Sequence, residues 1–172
     1  VKSSLCWGAG IKINNSAFNV KFIRPISVES ATAEFTDAVS TTSDVKLTFK
    51  NWNGYDFTDP NRAFASTDYF NYYKVSGIEL NIGNATTDLN GVEKKLSEVT
   101  SQIELTYTAP ALSADGYIVA NQYGKLTYNN NGLTVGTFHI TIPAKITYEW
   151  GVLDTKVVVT VKESQVARTV RK

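Results

Sequence analysis

The residues best suited to chemistry lie between Lys50 and Lys74, in the stretch KNWNGYDFTDPNRAFASTDYFNYYK. Trp52, Tyr55, Phe57, Phe64, Tyr69, Phe70, Tyr72 and Tyr73 are set there among Asn, Asp and Arg62. Rings in such company bind in two ways. An aromatic face stacks on the C–H surface of a sugar while amides and carboxylates take its hydroxyls. Tyr, Trp and Arg also concentrate binding energy at protein–protein contacts. A third arrangement binds nothing: a long inter-sheet connection whose rings plug the end of a sandwich. All three stay open on the sequence, although long irregular connections are often functional. Trp52, Tyr55, Asp56, Arg62, Tyr69, Tyr72 and Tyr73 are the candidate ligand- or partner-binding residues. Asp56, Asp59 and Asn61 also offer oxygen ligands of the kind calcium takes. They lack the Asp-x-Asp-x-Asp-Gly regularity of a strong calcium loop, and an Asp-Pro turn is the preferred reading, so no metal is expected.

Elsewhere the catalytic inventory is thin. His139 is the only histidine, placed by alternation on the strand face opposite Phe138 and Ile140. A Ser-His-Asp triad would need it beside a nucleophile on a strained turn, and no G-x-S-x-G occurs. Cys6 is the only cysteine, which rules out an intramolecular disulfide and, with a single histidine, leaves too few ligands for structural zinc. Neither G-x-G-x-x-G nor G-x-x-x-x-G-K-[ST] is present, so no nucleotide cofactor is expected. Among the 16 acids no spacing singles out a pair of the kind glycoside hydrolysis uses. No catalytic residue is assigned, and the expectation is a protein that is not an enzyme.

Composition agrees with a binding or structural role. A formal net charge of +1 offers no clustered basic face for nucleic acid. No run of ~20 apolar residues is available to span a membrane as a helix. The chain has no methionine and opens at Val1, which reads as a mature form, a fragment or a piece of something longer. At 172 residues it fits one domain, since domains most often run to ~100–150 residues and all-β units are commonly larger. The expected domain is 1–162. Beyond it, 163–172 forms a basic tail that gathers Arg168, Arg171 and Lys172.

The elements that would position these residues are strands. Period-two alternation recurs in AFNVKFI (Ala17 to Ile23), VKLTFK (Val45 to Lys50), YKVSGIELNIG, SQIELTYT, GYIVAN, GKLTYNN, LTVGTFHITI, AKITYEW and TKVVVTVK. Asn and Gly at SADG, NQYG and NNNG tolerate the positive φ of tight turns. Gly77 suggests a bulge, and Pro143 suggests an edge or crossing position. Leu89, Val92, Leu96 and Val99 have helical spacing and predict one or two helical turns over 89–99. The fold class is all-β: a Greek-key β-sandwich of nine or ten strands with one short helix. Its last two strands, FHITIPAKITYEW and VLDTKVVVTVK, close it as an antiparallel hairpin turned at Trp150-Gly151.

FNVKFIRPISV (Phe18 to Val28), followed by FTDAV and NWNGYDF, resembles a pattern in large secreted proteins of Bacteroides-type gut bacteria. FHITIPAKITYEWGVLDTKVVVTVK resembles the closing strands of Ig-like domains in proteins of that sort. The resemblance implies an exported, extracellular or cell-surface Ig-like module, acting in adhesion, glycan handling or surface assembly, and it carries no catalytic residues. The leading expectation is a non-enzymatic module that works through contacts with other domains or subunits. A carbohydrate-binding module is the alternative. A structural subunit of a surface layer, pilus or phage particle is a further one.

Overall fold

The computed structural model describes residues 12–13, 16–17, 25–36, 40–59, 66–131 and 136–163. The strand expected over Ala17 to Ile23 lies mostly outside these residues, as do Cys6 and the basic tail beyond 163. A short ladder joins β1 (Lys12–Ile13) to β2 (Ser16–Ala17). Among the described residues ten further strands form two sheets. The larger holds β5 (Lys46–Lys50), β3 (Ser27–Thr36), β12 (Gly151–Lys162), β11 (Phe138–Tyr148), β7 (Thr86–Thr87) and β8 (Lys94–Lys95) in that order, with β6 (Gly77–Leu80) also paired to β11. The smaller is β4 (Ser40–Asp44), β10 (Lys125–Asn130) and β9 (Ile103–Thr108). The all-β sandwich read from the alternation is the fold that forms.

Alternation builds the interior. Phe138, Ile140, Ile142, Ala144 and Ile146 of β11 and Val157, Val159 and Val161 of β12 are buried, and the residues between them face out. Each of the Ile, Val and Phe side chains contributes ~1.5–3 kcal/mol by leaving water. The small sheet answers with Ile103, Leu105, Leu126 and Tyr128. The Tyr128 ring meets Phe35 of β3 at 5.6 Å and Phe138 of β11 at 6.4 Å, so the two sheets face each other across one continuous core.

Two devices hold the layers together. Val45 alone separates β4 in one sheet from β5 in the other; it is buried, and its N–H donates to Gly124 O at 3.0 Å. The Tyr107 hydroxyl of β9 lies 3.1 Å from Ile78 O and 3.0 Å from Tyr123 O, so one O–H is shared between two carbonyls that belong to different parts of the fold. Burial pushes the Tyr107 phenol up to about 12, which keeps it a donor at any ordinary pH.

The closing hairpin forms with its full register, from Phe138↔Val161 to Tyr148↔Gly151. Its two-residue turn is Glu149–Trp150 rather than Trp150-Gly151, and Gly151 opens β12 at φ +136°. What alternation does not show is that β12 also pairs in parallel with β3, from Val158↔Thr32 to Lys162↔Thr36.

Pro143 sits inside β11, which has neighbours on both flanks. One residue's N–H and C=O leave a strand on the same side, and Pro143 O accepts from Asn81 N–H at 2.8 Å. The missing N–H therefore faces the notch between β6, which ends opposite Ala144, and β7, which begins opposite Thr141. The strand is central, but the proline occupies a local edge.

Three local expectations are corrected. Residues 89–99 hold two short 3-10 turns, Leu89–Gly91 and Leu96–Val99, on either side of β8, because Asn90 (φ 65°) and Gly91 (φ 78°) are both left-handed and stop an α-helix. Among the described residues the α-helix, α1, is Ser66–Tyr73. Gly77 begins β6 without a bulge; the register shift lies between Val28 and Ser30, where Glu29 reaches Lys50 at 2.6 Å. GYIVAN supplies only an isolated bridge, Ile118 to Leu112.

His139 fastens β7 to β11. Asp88 accepts its backbone N–H at 2.6 Å, and the other Asp88 oxygen is 3.0 Å from His139 Nδ1. Thr87 Oγ1 donates to His139 O at 2.8 Å. Partial burial alone would raise the Asp88 carboxyl, but the bonds from His139, backbone first and then ring, outweigh it and hold the group below its ordinary value. A carboxylate lowered in this way stabilises the fold above its unfolded pKa of ~3.9 and loses that contribution as pH falls through the folded value. Wild type is therefore expected to exceed Asp88→Asn in urea midpoint at neutral pH, with the difference shrinking toward zero in strong acid. An advantage that grew on acidification would contradict this assignment.

Candidate functional site

The aromatic segment folds into a turn, an edge cap and a helix at one end of the sandwich. In the turn, Asn51 Oδ1 accepts from the N–H groups of Asn53 (3.2 Å) and Tyr55 (2.9 Å). Asn51 N–H donates to Tyr55 O at 3.0 Å, and Gly54 N–H donates to Asn51 O at 2.9 Å. Gly54 takes φ +84°, a conformation costly for residues with a Cβ. These bonds leave the backbone little freedom and present Trp52 outward, 58% exposed.

Asp56 is turned toward the fold. Its Oδ1 accepts from Thr58 N at 2.9 Å and from Thr58 Oγ1 at 2.6 Å. The buried Thr58 hydroxyl in turn accepts the N–H of Phe49 at 3.1 Å, while Phe57 N–H donates to Phe49 O at 3.2 Å. Asp56 thus orients the group that caps the outer edge of β5. Among the described residues no cluster of three His, Cys, Asp or Glu side chains is placed to hold a metal ion.

Phe57 is the centre of the aromatic packing. Its ring contacts Phe49 (5.7 Å), Tyr69 (5.2 Å), Phe70 (5.5 Å) and Tyr73 (5.5 Å), within the range of favourable ring pairs. Tyr69 also meets Tyr55 at 5.5 Å, and Tyr123 closes the group against Phe49 (6.1 Å) and Phe70 (5.9 Å). Burial, and then the neighbouring Tyr55 hydroxyl, raise the Tyr69 phenol above its ordinary value. Burial pushes Tyr123 up to about 12.

One face of α1 supplies Tyr69, Phe70 and Tyr73 to this plug. The other leaves Tyr72 56% exposed, its ring edge-on to Tyr73 at 4.9 Å. The helix ends at Lys74, which is left-handed at φ 54°, with Val75 N–H bonded to Phe70 O at 3.0 Å. Glu149, in the turn of the closing hairpin, donates its N–H to Tyr73 O at 2.9 Å and lies 3.6 Å from Lys74 Nζ. The plug is therefore fixed to the end of β11.

Of the candidate residues, Tyr55, Tyr69 and Tyr73 come together with their ring faces engaged by other rings. Trp52 and Tyr72 are presented to solvent. Asp56 serves the edge cap, and Arg62 lies outside the described residues. Two members of the cluster fall outside the segment: Phe49, whose alternation marks it as inward, and Tyr123, for which a lone tyrosine in a turn gives no sign. His139 stands in the Asp88 contact, apart from this end.

No family model matches the chain, and no curated protein matches it in sequence. Among solved structures it is similar to AggA, the major subunit of aggregative adherence fimbriae type I from Escherichia coli, at 9% identity and a TM-score of 0.40, over 86% of this chain and 99% of that one. A likeness at that level describes a β-rich chain trace and nothing finer.

The contrast between plug and presented ring is measurable. Phe57→Ala is expected to lower stability by ~3–5 kcal/mol in urea denaturation, as deletions of buried aromatics do. Trp52→Ala is expected to stay within ~1 kcal/mol of wild type. The reverse order would show that Trp52, not Phe57, anchors this end.

Proposed function

We propose that this chain is a non-catalytic, Ig-like β-sandwich module of an exported surface protein, and that it works by protein contact through its aromatic end. The observation that carries the reading is the exposure of two large rings, Trp52 on a hydrogen-bonded turn and Tyr72 on a helix whose other face is packed. Large exposed rings on a stiff support bind with little loss of conformational freedom, which favours them as anchors of interfaces. The rings around them spend their faces on one another, so the surface offers two protruding anchors rather than a flat stacking platform. That shape favours a protein partner over a glycan. The exported setting follows the resemblance of Phe18–Val28 and of the closing hairpin to surface-protein modules.

A photo-crosslinking residue at position 52, in the protein displayed by the cells that make it, tests the reading. The expected result is one discrete cross-linked polypeptide, lost when Tyr72→Ala is added and absent when the probe stands at Val92 instead. Cross-linking no stronger than at Val92, or a product that is polysaccharide, would overturn it.

A further inference from the structure

The outer face of β12 carries a pattern that the core does not require. With Val157, Val159 and Val161 turned inward, Val152, Asp154, Lys156 and Val158 stand on the opposite, solvent-facing side. Val152 is 52% and Val158 40% exposed, where threonine would also suit a strand. From either end the order is apolar, charged, charged, apolar, and the two charges are opposite in sign.

The neighbouring strands extend it. Lys145 of β11 stands opposite Asp154 on one side and Glu79 of β6 on the other, while Pro143 stands opposite Lys156. Cross-strand neighbours of opposite charge ordinarily stabilise a sheet by pairing. Among the described residues, however, Glu79, Lys145, Asp154 and Lys156 form no ion pair. Together with Leu80, Ala144 and Thr155, the row that lies between the charges, they line a hollow of about 690 Å³.

The geometry points to a second copy of this chain as the occupant of this face. The two large sheets stack face to face about a two-fold axis that crosses the strands at the Thr155–Ala144–Leu80 row. β12 then runs antiparallel over its counterpart. Val152 meets the partner's Val158, and Asp154 meets the partner's Lys156; each contact occurs twice, as an isologous interface requires. Sheets stacked face to face lie ~10 Å apart, a gap that an aspartate and a lysine side chain span together. An unrelated partner would need no such mirror order along β12, so the symmetry of the pattern selects the chain itself. This surface shares no residue with the aromatic end and does not rest on the reading of it.

Charge exchange tests the register directly. In sedimentation equilibrium the full chain is expected to dimerise, more weakly as salt rises. Asp154→Lys and Lys156→Asp each set like charges over like, and each alone is expected to weaken the dimer ~tenfold or more while the chain stays folded by circular dichroism. An equimolar mixture of the two variants is expected to re-form a dimer, because one then presents only lysines and the other only aspartates. The double variant D154K/K156D is expected to dimerise as wild type does. Lys156→Ala, which removes a charge without adding repulsion, gives a smaller loss and serves if either exchange impairs folding. A wild-type monomer at all concentrations would overturn the proposal, as would single exchanges that leave the dimer intact or a mixture that fails to re-associate.

Discussion

The antiparallel ladder between β11 and β12 is the constraint on which the rest of the molecule depends. It runs unbroken from Phe138↔Val161 to Tyr148↔Gly151, and its inward side is an apolar double row made mostly of Ile and Val. Every other strand of the large sheet reaches the core through it. β3 adds in parallel to β12 and brings β5 with it; β6 and β7 add to β11, and β8 follows β7. Hairpin pairing is local and cheap in chain entropy, whereas β3 and β12 close a loop of more than a hundred residues, so the hairpin offers the natural platform for that later pairing.

The same ladder divides the molecule by chemistry. Period-two side chains put one row into the core and the next into solvent, so an apolar interior leaves most polar groups at the rims and on the outer face. The rim at the Glu149–Trp150 turn is where α1 and its rings attach, through Tyr73 O and Lys74. Aromatic mass that a strand could not bury ends as a plug, with Trp52 and Tyr72 left protruding from it. The outer face, released from packing, carries Val152, Asp154, Lys156 and Val158. Both surfaces for which we propose partners are thus consequences of one apolar stripe.

How much of this could be read beforehand follows from how local each signal is. Val45, Leu47 and Phe49 alternate within five residues, and so do Ile103 and Leu105, or Leu126 and Tyr128; all were legible as inward positions. The parallel pairing of β12 with β3 leaves no local mark, because a parallel and an antiparallel neighbour ask for the same side chains. Helical spacing at Leu89, Val92, Leu96 and Val99 misled, since periodicity does not register two successive left-handed residues at Asn90 and Gly91. α1 was obscured because its apolar face is made of Tyr and Phe, residues that favour strands as readily as helices. In the aromatic segment, composition located the cluster but could not rank it. Whether a ring is anchor or filler depends on Phe49 and Tyr123, which arrive from elsewhere in the chain. The sequence marks Asp56 as a candidate binding carboxylate but does not show that it also orients the edge cap, through the Thr58 N–H and hydroxyl on its Oδ1.

Native-state hydrogen exchange would measure the spine most directly. If the closing hairpin carries the fold, the inter-strand amides of β11 and β12 exchange last, only through global unfolding and with its full denaturant dependence, while those of β4 and β9 open earlier. Hairpin amides that exchanged by local opening, ahead of the small sheet, would contradict the account.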